Sequence, residues 1–142
     1  MLKGVALTKL KIILNPKGDI FHVLNIDSPC YSSFGEVYFS TINEGCVKGW
    51  KKHIKMSMNI VVPVGIIKIV LYDDRKDSFS FGKFYEIELS KKNYCRLTIP
   101  NGIWMSFMGI SPGENILMNF ANIKHDPFES INLPLNEINY KW

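Results

Sequence analysis

Apolar residues in this chain come in short runs that alternate or are rich in β-branched side chains. Each run is cut off before a helix could complete three turns. Positions 8–14, 20–24, 36–42, 58–64, 65–72, 85–89, 95–99, 103–108 and 116–123 read as strands. The breaks between most of them carry Gly, Pro, Asn or a charged turn such as Asp73, Asp74, Arg75, Lys76, Asp77. A two-residue period sets one face of a sheet against the other, whereas a helix needs a 3.6-residue period. At least eight such runs predict an all-β barrel or sandwich. The 142 residues suffice for one domain with a real core, spanning 1–142, with 126–142 expected to be an irregular tail covering a neighbouring subunit.

Charge and cysteine content narrow the function classes. A net charge of +4, spread in small groups, hints at anionic ligands but lacks the dense basic stripe of a nucleic-acid surface. Cys30, Cys46 and Cys95 are odd in number and widely spaced, so they read as reduced thiols in the cytoplasm and not as a disulfide or zinc framework. No apolar run reaches membrane-spanning length, and lysines interrupt the first fourteen residues where a signal peptide needs an unbroken core. Membrane insertion is therefore not expected.

The chemistry concentrates in Gly45, Cys46, Val47, Lys48, Gly49, Trp50, Lys51, Lys52 and His53. In a strand, Gly49, Lys51 and His53 share one face, pointing together into a cavity or together into solvent. Two readings follow. An inward lysine could stabilise an enolate or serve as a base; alternatively, the cations belong to a solvated edge strand that deters pairing. Three histidines with no close pair do not make a metal site, and no cofactor is implied. Trp50 and Trp104 suit either stacking on a ligand or packing in the core. Arg75 suits a turn ion pair or a phosphate contact. Asn119, polar within an apolar run, either caps a local bond or faces a cavity.

The stretch Asp74 to Lys83, then Glu88 to Asn93, then Ile99, Pro100, Asn101, Gly102, resembles the dTDP-4-dehydrorhamnose 3,5-epimerase family of cupins in order and spacing. Gly45 to Trp50 resembles the segment that leads to the family's catalytic His, and Asp126, Pro127 and Glu129 resemble its Asp-Pro-Glu region. The resemblance covers roughly residues 18 to 130 and implies a cupin jelly-roll, a homodimer, and a nucleotide-linked sugar as ligand, without metal. It also implies proton removal beside a sugar ketone by a His, enolate stabilisation by a cation, and reprotonation by a Tyr on the far face. By position, the family His falls on Lys51, its Lys near Met58, its Tyr on or beside Asn119, a further His on Met105, and its diphosphate-binding Arg on Lys48. Shorter relatives from polysaccharide loci read Lys-Gly-Trp-His-x-His, which matches His53 to the second His.

The resulting expectation is a nucleotide-sugar (4-keto-6-deoxyhexose) epimerase or isomerase of bacterial surface-polysaccharide biosynthesis. His53, Lys51 and Tyr72 are its catalytic candidates, and Lys48, Trp50, Arg75, Trp104 and Asn119 its binding candidates. The alternatives are a non-catalytic sugar-nucleotide binder or assembly module, and a structural dimer whose own side chains fill the cavity.

Overall fold

The computed structural model describes residues 1–142 and contains twelve strands. In chain order they are β1 (Ala6–Lys9), β2 (Ile12–Ile13), β3 (Ile20–Phe21), β4 (Glu36–Thr41), β5 (Val47–His53) and β6 (Met58–Val64). There follow β7 (Ile66–Asp73), β8 (Phe84–Ser90), β9 (Cys95–Ile99), β10 (Ile103–Gly109), β11 (Ile116–Ala121) and β12 (Ser130–Asn132). One sheet has the order β1-β9-β6-β11-β4 and the facing sheet β12-β5-β10-β7-β8, while β2 and β3 form a separate hairpin. All the strand pairs are antiparallel, giving the two-sheet jelly-roll expected of a cupin.

The main core lies between the sheets, where Ile60, Leu97 and Ile99 of the first meet Ile69, Leu71 and Ile103 of the second. The second sheet is also covered on its outer face. There Trp50, Val70 and Trp104 form a smaller cluster with Ile138, and Tyr140 and Trp142 pack against it. The tail folds back on its own sheet. It supplies β12, which pairs with β5, and two single 3-10 turns at Pro127–Glu129 and Leu135–Glu137. The physical reason is apolar: Trp50 is fully buried, and its ring stands edge-on to that of Tyr140 with centroids 6.2 Å apart.

Two sequence expectations are revised. The run at 8–14 divides: the Leu10 amide still follows the β1–β9 register by donating to the Tyr94 carbonyl, whereas Ile12 and Ile13 pair with β3, so β1 and β2 join different sheets. The reading of residues 47–53 as a solvated edge also fails, since β5 is hydrogen-bonded to both β12 and β10. Inside this strand Gly49 has φ +141°, and a Cβ there would press on Ser106 Oγ and lie 2.8 Å from Ser106 Cα. Gly49→Ala is expected to lower stability by about 2 kcal/mol or more, through overpacking and backbone strain together, as read from urea denaturation.

Candidate active site

Alternation along β5 decides which side chains meet. Lys51 and His53 face inward and, with Lys48, which the register shift against β10 brings to the same side, line a cavity of about 590 Å³ between the sheets, the size of a small-molecule site, whereas a Cβ at Gly49 would point at Ser106 outside it. Trp50 and Lys52 send their side chains the other way. Lys52 Nζ lies 2.7 Å from Asp74 and over the Trp104 ring, and the Trp50 indole N–H donates to the Leu135 carbonyl. Trp50 touches the cavity only where its strand forms the wall. The floor is apolar, with Met58, Ile60 and Leu117 from the first sheet and Met105 and Phe107 from the second. The side chains leave this space open, which disposes of the reading in which the protein fills its own cavity.

His53 is 4% exposed, and its Nδ1 lies 2.6 Å from Glu129 Oε2. The other carboxylate oxygen, Oε1, accepts from the Lys55 and Met56 amides, both at 2.6 Å. Burial alone would raise the Glu129 pKa, but hydrogen bonds from His53 and these two amides outweigh it and hold the group below the ordinary carboxylate value. An ionised carboxylate on Nδ1 keeps the proton on that nitrogen, so the Nε2 lone pair is the one available for chemistry. Glu129 is placed by the 3-10 turn Pro127–Glu129, which Asp126 caps by accepting from the Phe128 amide at 2.9 Å.

Opposite this pair, on the other sheet, Asn119 has no exposed surface, and neither atom of its carboxamide finds a partner within the protein. A buried amide left unpaired costs on the order of 1–3 kcal/mol, a cost that a polar ligand in the cavity can offset. Its neighbour across the ladder is Tyr38 on β4, which also lines the cavity. Lys48 stands on the cavity wall and spans the sheets, its Nζ 2.6 Å from the Thr41 carbonyl and 3.2 Å from Ser40 Oγ. An ammonium has three donors, so one remains for a ligand.

The expected site residues thus separate into two groups. His53, Lys51, Lys48, Asn119 and the backbone of Trp50 come together. Tyr72, Arg75 and Trp104 do not. Tyr72 pairs with Trp104 in the ladder, and both join the outer cluster beneath the tail, the face turned away from the cavity. Trp104 is held there by its indole N–H, which donates to Asp74 at 2.7 Å. Arg75 makes the turn ion pair, its Nε 2.8 Å from Asp73, and also donates to the Lys3 carbonyl.

Residues missing from the expectation are Glu129, Tyr38 and His125, all of which bear on the cavity directly or through His53. The signal for Glu129 was present in its Asp-Pro-x-Glu setting, but nothing local ties it to a histidine 76 positions away.

Asp73, fully buried at the end of β7, adds a pH dependence to the fold. Burial by itself would raise its pKa, yet donors from Arg75, Ser78 and Ser80 press it far below the usual range. Both Asp73 and Glu129 are lowered on folding, so their stabilisation is complete above the unfolded carboxylate pKa of about 4 and drains away as pH falls below it. The melting temperature is expected to drop steeply below about pH 4. Asp73→Asn should flatten that slope.

Comparison with known proteins agrees with this fold. A dTDP sugar isomerase from Desulfovibrio desulfuricans G20 is 35% identical and superposes with a TM-score of 0.96, covering 99% of this chain and 92% of that one. The protein described as probable low-salt glycan biosynthesis epimerase Agl13 of Haloferax volcanii is 26% identical over 127 residues, 88% of this chain and 81% of its own. Spore coat polysaccharide biosynthesis protein SpsL of Bacillus subtilis is 24% identical over 127 residues, 89% and 84% of the two chains. The model of the dTDP-4-dehydrorhamnose 3,5-epimerase family matches residues 2–142, and the chain belongs to that family.

Proposed function

We propose that this protein removes a proton beside the ketone of a nucleotide-linked 4-keto-6-deoxyhexose, epimerising or isomerising the sugar for surface-polysaccharide assembly. The observation that carries the reading is the buried His53–Glu129 pair on the wall of an open cavity. A C–H bond next to a ketone becomes acidic enough for an imidazole only if the base is placed against it and the enolate charge is met. His53 Nε2 takes the proton, and Glu129 balances the imidazolium that forms. Lys51, two residues along the same face, supplies the positive charge for the enolate oxygen. Lys48 offers its remaining N–H to the diphosphate, and Asn119 offers its carboxamide to a sugar oxygen.

The protein is proposed to work in the cytoplasm, where its three unpaired cysteines stay reduced. A homodimer formed along β4 suits the exposed Val37 and Phe39 on that edge strand.

Incubation with dTDP-4-keto-6-deoxyglucose in D2O tests the activity. Deuterium is expected at C3, C5 or both, the carbons flanking the ketone, by NMR. A ligand-induced rise in melting temperature without exchange would mark the protein as a binder, the reading favoured by Met58 and Asn119 at family catalytic positions.

A further inference from the structure

We infer that Tyr38 is the proton donor that completes inversion at the sugar carbon, an assignment that rests on the proposed function. Inversion requires a proton to leave one face of a carbon and return to the other, so base and acid must stand on opposite sides of the substrate. His53 and Lys51 share one strand and therefore one wall, which leaves the acid to the facing sheet.

On that sheet the deepest polar group is Asn119, and a carboxamide holds no proton acidic enough to quench an enolate. Tyr38 is its direct partner across the β4–β11 ladder. Directly opposed residues of an antiparallel pair project from the same face, with Cβ atoms about 4.5–5.5 Å apart. Tyr38 consequently reaches the same space as Asn119 and lines the same cavity. The other side chains of β4 that line it are Glu36 and Ser40, and Ser40 Oγ is already engaged by Lys48.

Tyr38 is 41% exposed, whereas Asn119 has no exposed surface. Because Tyr38 lines an open cavity, water within it can return a proton to the phenolate. The step balances. His53 Nε2 takes H⁺ from the carbon beside the ketone, and the C–H electron pair becomes the enolate. The Tyr38 hydroxyl gives H⁺ to the opposite face of that carbon, and the ketone re-forms. Solvent then reprotonates the phenolate, and the imidazolium returns its proton to solvent.

The test compares wild type and Tyr38→Phe with dTDP-4-keto-6-deoxyglucose in D2O, following deuterium incorporation and formation of the inverted sugar separately. In the variant, exchange should persist, because His53 can remove a proton and return a deuteron to the same face. Formation of the inverted sugar should fall by about 10²-fold or more, the usual contribution of a positioned acid. Unreduced inversion in Tyr38→Phe would overturn the assignment while leaving the proposed function standing. Equal loss of exchange and inversion would also overturn it, by making Tyr38 a binding or structural residue. Exchange without inversion in the wild type would exclude any such acid, and no exchange in the wild type would overturn the proposed function and this inference with it.

Discussion

Replacing His53 with asparagine is expected to slow deuterium exchange into dTDP-4-keto-6-deoxyglucose by roughly 10²–10⁴-fold, the range typical of a lost general base. The size follows from how little else in the cavity could substitute. Lys51 faces the same space, but an ammonium must lose its proton before it can act as a base. His125, the other histidine in the lining, comes from the exposed segment after β11 and has no carboxylate partner in the fold. Nucleotide-sugar binding should survive in His53→Asn, because Lys48 and Asn119 are untouched. A thermal shift with the sugar nucleotide that persists while exchange disappears would separate the chemical role from the binding role, and unreduced exchange would remove His53 from the mechanism.

The second large effect is expected at Glu129, where stability and chemistry depend on one carboxylate. Glu129→Ala strips acceptors from His53 and from the Lys55 and Met56 amides together. Removing one partner from a buried, hydrogen-bonded pair costs about 3–5 kcal/mol, and the orphaned amides give no reason to expect less. Urea denaturation should show this as a lower midpoint with an unchanged slope. Glu129→Gln separates the two roles. Its amide oxygen can still accept from the two backbone N–H groups, but its NH₂ then faces Nδ1 and favours the tautomer with the proton on Nε2. Near-native stability with exchange reduced by about 10²-fold or more is the expected result, because the wrong tautomer cannot accept a proton where the substrate lies. Normal exchange in Glu129→Gln would show that His53 does not need the carboxylate to set its tautomer.

Much of the site follows from local order along the chain. The two-residue period of β5 puts Lys51 and His53 on one face, whichever way that face turns, while the register shift near Gly49, which only the pairing with β10 reveals, brings Lys48 to that side as well. Asn119 is conspicuous as a polar residue inside an apolar strand, and it proves to be buried without a partner. The run at 65–72 carries no such mark. Its apolar residues occupy both faces of β7, because one packs in the main core and the other under the tail. A strand buried on both sides has no polar alternation to read, so nothing local revealed that Tyr72 faces away from the cavity.

Tyr38 shows the converse. It lies in a legible alternating run, yet its relation to Asn119 exists only once β4 and β11 pair in register. The His53–Glu129 contact likewise depends on β12 docking against β5, which brings the turn before it onto the end of that strand. Strand pattern, turn chemistry and the sharing of faces are set by neighbours in the chain, through backbone sterics and the pleat. Which face turns inward, and which distant carboxylate meets which imidazole, is set by the packing of sheet on sheet and tail on sheet, through burial that no short segment can achieve alone.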